Sequence, residues 1–501
     1  MKRNSVNKFF MYALVIFLLI QPIFDLKYFY NSTSTLIRVI IIGVFFCYYF
    51  FVSNNKRKYW LLIYPIILGI YFVFHNLNAN NFRSVVPGNF NYSTIQETLY
   101  LIKMVTPFLL IYVIFESELA KRDILNIIKI LTCIISLIII ITNILCISYG
   151  SYSDEKIKAN LFSWFTKNEF VYQELASKGL FEYANQISAI LIMFLTFNIL
   201  ETIEDKKIKN IFVLVVNILG LFLLGTKVSV LGIILVFAYT LIANILNKKI
   251  NGKKYIKKSL SIVSILFVCY LLVLSYNPIF MRMDETKTIE AVKNVEVVET
   301  IENENTIIQN NVIEENKITK EDEEKSIEAN IRNICKDKQL KEEFVLDAYP
   351  YKYDSEFWLK IFNEPLSKRV DFRYIETSMV KRVLEINNNK CDTLFGITNT
   401  RVQNIFNIER DFIVQYYALG IIGSIIIFVP YLLLLGIFVK KVICNKCKNI
   451  DTTQIISFIT ILLMFAIAYY TGNLLNSLSF TIYLTLLFGL LLKGNLSNNV
   501  E

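Results

Sequence analysis

The sequence predicts an all-α polytopic membrane protein, with about twelve transmembrane helices and one long extracytoplasmic loop between helices nine and ten. Three observations predict it. Hydrophobic residues make up 54% of the 501, and mean hydropathy is +0.47, more apolar than an ordinary soluble domain. Apolar runs recur at the length of about 20 residues that a helix needs to cross roughly 30 Å of hydrocarbon. Basic clusters fall at every second boundary between those runs, the pattern expected when lysines and arginines of short loops stay on the cytoplasmic side.

In order, the first run is Phe9 to Phe24, which no small-residue cleavage site follows, so it reads as a retained helix. Leu36 to Val52, Tyr59 to His75, Thr98 to Phe115 and Ile124 to Ser148 come next, then Ala184 to Leu200. The seventh run, Ile211 to Leu224, is short, and Val228 to Leu246 and Leu260 to Tyr276 complete the first nine. Phe412 to Val439, Ile455 to Tyr470 and Leu475 to Leu492 close the chain. The basic clusters are Lys2/Arg3/Lys8, Lys56/Arg57/Lys58, Lys121/Arg122, Lys206/Lys207/Lys209, Lys248 through Lys258 and Lys440 through Lys448. Both termini are therefore expected in the cytoplasm and the long loop outside. The net charge of +10 reflects these anchors and the lipid bilayer they face, so no nucleic acid is implied.

Four domains follow. Residues 1–278 form a membrane domain with helices one to nine, 279–330 an acidic flexible tether outside, 331–410 an extracytoplasmic helical loop domain, and 411–501 a membrane domain with helices ten to twelve. From Asp284 to Asn330 there are 14 acidic and 5 basic side chains and no aromatics, too little apolar area to offset the entropy of ordering. From Ile331 to Arg410 the balance is 14 basic to 12 acidic, with Tyr349, Phe357, Trp358 and Phe362 among the aromatics, so this part is expected to fold. Of the eight cysteines, Cys335 and Cys391 share the loop and leave a disulfide open. Cys444 and Cys447 form a lone Cys-x-x-Cys, and with a single histidine, His75, no metal site or cofactor is expected.

Chemistry is expected where charge meets the outer leaflet, because an ionisable group in a membrane segment is costly. One candidate is the turn Gly225-Thr226-Lys227-Val228-Ser229, with an ammonium at the membrane face. Another is the stretch from Lys178 into the sixth helix, with Asn185 and Gln186. The loop contributes Arg369, Arg373, Arg382 and Arg401, and Glu409-Arg410-Asp411 stands before the tenth helix. Lys103 lies well inside the fourth helix, with Glu97 near enough in sequence to partner it. Each has a structural alternative. Lys227 can snorkel to headgroups, the loop arginines can pair with neighbouring carboxylates, Glu409 and Asp411 can cap the tenth helix, and Gly420 and Gly423 can serve helix packing.

With Thr226-Lys227-Val228-Ser229, Leu394-Phe395-Gly396-Ile397 and Gly420-Ile421-Ile422-Gly423 in this order, the chain resembles the O-antigen polymerase and ligase superfamily. The resemblance implies a membrane glycosyltransferase that polymerises or transfers undecaprenyl-diphosphate-linked oligosaccharide to a glycan or cell-envelope acceptor on the outer face. Two departures from the family pattern stand out: Glu409 and Asp411 occupy the place of a ligase histidine, and Lys227 that of an arginine. They fit a polymerase-like branch better than a lipopolysaccharide ligase. The chemistry then needs cations for the leaving diphosphate, Lys227 with Arg373, Arg382 or Arg401, and a carboxylate base, Asp411 or Glu409. A flippase for lipid-linked oligosaccharides is the main alternative, though no internal repeat is seen, and a non-enzymatic scaffold for envelope assembly is a third.

Overall fold

The structure, a computed structural model, describes residues 2–83, 85–86, 91–166, 170–250, 257–283, 320–406, 408–444 and 450–493. The helices in chain order are α1 (Lys2–Phe24), α2 (Ser32–Val52), α3 (Ile63–Asn80), α4 (Thr94–Glu116), α5 (Lys121–Ile144) and α6 (Tyr172–Leu175). Next come α7 (Ala184–Glu204), α8 (Ile208–Leu224), α9 (Lys227–Ile250) and α10 (Lys257–Val273). The loop contributes α11 (Lys320–Lys338), α12 (Ser355–Phe362), α13 (Leu366–Arg369), α14 (Phe372–Asn387), α15 (Cys391–Phe395) and α16 (Asn399–Phe406). The last three are α17 (Asp411–Cys444), α18 (Thr452–Thr471) and α19 (Leu478–Lys493).

Among the described residues, nine helices are long and apolar enough to cross a membrane. The stretches Ile208–Leu224, Leu260–Tyr276 and Leu478–Lys493 are apolar but shorter. The protein is thus a multi-pass membrane protein. Several runs end elsewhere than expected, α5 and α3 among them. α5 stops at Ile144, where Cys146 takes a left-handed backbone (φ 54°) and the amides of Ile147 and Ser148 both turn back to the Thr142 carbonyl. α3 continues past His75 to Asn80.

The chain divides into two compact units. The first comprises Met1–Trp60, Leu101–Asp284 and Phe428–Glu501. Its centre is α7, nearly all of it buried against α5, α8, α9 and α18. Polar side chains distributed along α7 (Gln186, Ser188, Thr196, Asn198 and Thr202) favour enclosure by protein over exposure to lipid. The polar residues it carries are matched across helix pairs: Gln186 donates to Ser477 (2.6 Å), Asn198 to Thr132 (3.0 Å), and Thr196 meets the Tyr239 hydroxyl (2.6 Å). Such bonds hold helices together where lipid offers no competing partner. A buried ion pair completes this core. Arg38 of α2, 1% exposed, donates to Asp25 and to Ser479 (2.8 Å), while the Tyr483 hydroxyl donates to the second Asp25 oxygen (2.9 Å).

The second unit comprises Leu61–Tyr100 and Glu285–Ile427. Trp358 of α12 is fully buried and its indole donates to the carbonyl of Tyr349 (2.7 Å), whose own hydroxyl reaches Asp354 (2.8 Å). Asp354 also caps α12 through the Phe357 amide (3.2 Å). α14 buries Ile375, Met379, Val380 and Val383, an i, i+4, i+5, i+8 stripe that defines one face of a helix. The loop domain is therefore helical, and α11 begins at Lys320, so the boundary expected at Ile331 falls inside a helix. Residues 279–283 of the expected tether are also described, and 284–319 lie outside the described residues. Cys335 is buried, Cys391 is exposed and neither is in a disulfide.

Within this unit α17 is interrupted at Gly420 (φ 67°, ψ −175°). Leu394-Phe395-Gly396-Ile397 lies alongside the break. The Ile397 amide donates to the Tyr417 carbonyl (2.9 Å) and the Thr398 amide to that of Ala418 (3.0 Å), and the Tyr71 hydroxyl serves the Leu419 carbonyl (2.7 Å). The carbonyls leading into the break are thus bonded, as irregular backbone at membrane depth requires. A Cβ on Gly396 would lie 2.2 Å from the Ala418 oxygen, and one on Gly420 would lie 2.4 Å from the Leu394 carbonyl carbon. These two short motifs therefore serve backbone contact, a closer one than ordinary helix packing needs.

Candidate functional site

In the first unit the Thr226–Ser229 turn is held from several sides. Gly225 ends α8 in the left-handed conformation that glycine adopts without penalty. Thr226 and Ser229 then cap α9 reciprocally, each side chain accepting from the other's amide (3.0 and 3.1 Å). The carbonyls at the end of α8 are taken up by Asn277 on Phe222 (2.9 Å), Ser151 on Leu224 (2.6 Å) and Tyr172 on Gly225 (2.9 Å). Out of this fixed turn Lys227 projects as an exposed side chain on the first residue of α9. The helix start adds partial positive charge from its first amides.

One further cation of the same unit sits on the aromatics that support the turn, and two more share a carboxylate. The Arg282 guanidinium sits over the Tyr152 ring (4.1 Å) and the Tyr172 ring (5.4 Å), and Tyr172 is the residue bonded to Gly225. The Tyr152 hydroxyl donates to Asn185 (2.8 Å), which places Asn185 in the same group. Lys27 and Lys178 share one carboxylate, Asp154, at 2.7 and 3.7 Å. The Lys27 hydrogen bond holds Asp154 below the usual carboxylate range, while burial draws Lys178 below the ordinary lysine value. Glu182 adds its charge to that of Asp154 on both lysines. Lys103, half-buried in α4, belongs to this unit as well.

The second unit holds the expected carboxylates and arginines. Arg373 donates from Nε (3.1 Å) and Nη2 (2.8 Å) to one oxygen of Glu409. Glu376, one turn along α14 from Arg373, is 6% exposed, and its Oε2 is buried without a hydrogen-bond partner among the described residues. Burial, reinforced by the charge of Glu409, pushes the Glu376 carboxyl up to about 8. Asp411, the first residue of α17, is fully buried. Arg382 is engaged by Asp354 (2.7 Å) and Glu356 (3.2 Å). Burial works against the Asp354 charge, but Arg382 and the Tyr349 hydroxyl hold that carboxyl below its ordinary value.

Arg401 is 5% exposed, lies over the Phe82 ring (4.3 Å) and the Tyr92 ring (5.4 Å), and donates to the Ile397 carbonyl (3.3 Å). Burial draws its guanidinium down to about 10. Glu97 accepts the Asn399 amide on both oxygens (3.1 Å each) and lies 3.1 Å from His75 Nε2. His75 Nδ1 is 2.6 Å from the Phe395 carbonyl, so this nitrogen donates. The single histidine thus ties α3 and α4 to the segment beside the helix break, with both nitrogens engaged.

Arg282, Lys27 and Glu376 are the residues that sequence reasoning misses. Arg282 lies just past the ninth run, Lys27 follows the first, and Glu376 looks like one of many loop acids. Only the fold shows the aromatic seat of the first, the shared carboxylate of the second and the burial of the third. Among the described residues no group of three or more His, Cys, Asp or Glu side chains is placed to hold a metal ion. A sequence model of O-antigen ligase like membrane proteins matches residues 7–496. No curated protein and no solved structure matches the chain.

Proposed function

We propose, from the premise that this chain belongs to the O-antigen ligase like membrane protein family, that it polymerises or transfers undecaprenyl-diphosphate-linked glycan. The family makes the chain a glycosyl-transferring membrane enzyme of envelope assembly. The finer reading rests chiefly on one observation, the fixed Thr226–Ser229 turn presenting Lys227, tied through Tyr172 to Arg282. A polyprenyl diphosphate bound there meets an ammonium, a guanidinium and the start of a helix, which together neutralise charge without a metal.

In the reaction an acceptor hydroxyl oxygen attacks the anomeric carbon of the donor sugar. The bond from that carbon to the diphosphate oxygen breaks, and its electron pair stays with the diphosphate. The hydroxyl proton goes to a carboxylate. Of the candidates, Asp411 is fully buried, whereas Glu409 is exposed and accepts both Arg373 hydrogen bonds. Glu409 is therefore the favoured proton acceptor, because burial keeps the Glu376 carboxyl protonated at neutral pH. Arg382 and Arg401 are committed within the second unit and suit a supporting role. We assign the reaction to the outer face of the cytoplasmic membrane, with both termini cytoplasmic, from the alternation of basic clusters.

The test is reconstitution in vesicles with an undecaprenyl-diphosphate oligosaccharide. Longer glycans and free undecaprenyl diphosphate are expected, unaffected by a chelator. Lys227→Ala and Arg282→Ala should each lower kcat/KM by about 10²-fold or more, and Lys227→Arg should restore part of it. Absence of any product, or full activity in both alanine variants at equal membrane expression, would overturn the reading.

A further inference from the structure

We infer that the second unit carries a glycan-binding cleft that takes an acidic oligosaccharide, an inference that rests on the transferase reading and names its substrate class. The cleft is a cavity of about 700 Å³ lined by residues from the end of α3 and from the connection between α14 and α15.

Its chemistry is that of a sugar site. Asn78, Asn81, Asn387, Asn388 and Asn389 all line it. A carboxamide offers a donor and an acceptor side by side, the match for neighbouring sugar hydroxyls. Three of the five are fixed in place before any ligand arrives. Asp392, 4% exposed, accepts Asn78 (2.9 Å), Asn389 (3.2 Å) and Asn387, and Asn389 also donates to the Asn78 oxygen (2.8 Å). The side-chain amides of Asn81 and Asn388, both exposed, make no hydrogen bond among the described residues. Phe74 and Phe395 also line the cavity, with rings stacked at 5.7 Å. They supply the apolar faces on which the C–H side of a sugar ring packs. The charged lining residues are Arg83 and Lys390, both exposed, and no lining residue is acidic. That imbalance selects a glycan carrying carboxylate or another anionic group.

The test uses the full chain in nanodiscs of neutral lipid, without donor lipid, titrated with a hyaluronan tetrasaccharide and with neutral chitotetraose by ligand-observed NMR. Both should bind, the acidic one about tenfold tighter at low salt. A double Arg83→Ala/Lys390→Ala variant should remove that preference and leave chitotetraose binding in place. Asn388→Gly preserves the left-handed backbone (φ 46°), so a fold defect does not obscure it. With Asn81→Ala it should weaken both sugars by about fivefold or more. Inorganic phosphate at millimolar level should not compete; competition would show an anion site and no sugar site. Failure of both sugars to bind, equal affinity for the two, or unchanged binding in the asparagine variants would overturn the cleft. Binding is read without turnover, so wild-type transfer with no sugar binding rejects the cleft alone, and sugar binding with no transfer rejects the transferase reading alone.

Discussion

Glu376 shows how a single residue carries information that composition hides. Its carboxyl holds a proton up to about 8 in the folded chain and releases it near the ordinary glutamate value of 4.5 once unfolded. Between those values the native state binds more protons than the unfolded one, so stability falls as pH rises through that window. The thermal midpoint of the purified chain should therefore decline from about pH 5 to about pH 8. Glu376→Gln should flatten that decline, and an unchanged slope would remove Glu376 as its source. The sequence marks Glu376 only as one acid among many in its segment, because its neighbours Arg373 and Glu409 are brought together by folding. Arg38 is a second case. It stands near the start of an apolar run with Asp25 just after the preceding one, but the sequence reading passes over both, and only the fold pairs them. Leaving Asp25 buried and unpaired there would cost about 3–5 kcal/mol.

Among the elements, nine of the twelve expected apolar runs give helices long and apolar enough to cross a membrane among the described residues, and the other three give shorter apolar helices, because length and apolarity alone specify a helix in lipid. The break in α17 is not legible. Gly420-Ile421-Ile422-Gly423 reads as a packing motif, and only the contact with Gly396 shows a helix opened to take a second strand of backbone. Gly420 and Gly396 both occupy a region of backbone space that is essentially restricted to glycine (φ 67° and 81°). Gly420→Ala adds a Cβ against backbone atoms that cannot rotate away, so it should destabilise the fold by about 3 kcal/mol or more. Gly436, in the same helix, supplies the control, because a Cβ added there would meet nothing within 4 Å. Gly436→Ala should be neutral or stabilise by up to about 1 kcal/mol. Equal thermal midpoints for the two variants in detergent would show that the break is not a fixed feature.

The whole molecule poses a question of parity. Among the described residues nine helices meet the length and apolarity of a membrane span, and an odd number would leave the two termini on opposite faces. The three shorter stretches decide the matter. At 1.5 Å per residue, the seventeen residues of Ile208–Leu224 reach about 25 Å, at the lower limit for crossing. The basic clusters argue that α8 and α10 cross: Lys206/Lys207/Lys209 and Lys248 through Lys258 fall on one side only if α8 and α9 each span, and Lys440 through Lys448 agrees with Lys2/Arg3/Lys8 only if α10 does too. α19 ends on Lys493, the kind of residue expected at a cytoplasmic end, so it completes the even count. The expected outcome is a cytoplasmic location for reporters fused to either terminus. In a cysteine-free background, Asn305→Cys should react with a membrane-impermeant maleimide in intact cells, whereas Asn251→Cys should react only after permeabilisation. Replacing the native cysteines first is necessary because Cys391 is exposed and shares the loop with Asn305. Protection of Asn305→Cys in intact cells, or termini on opposite faces, would mean that a short helix does not cross, and the chemistry assigned to the outer face would have to move with it.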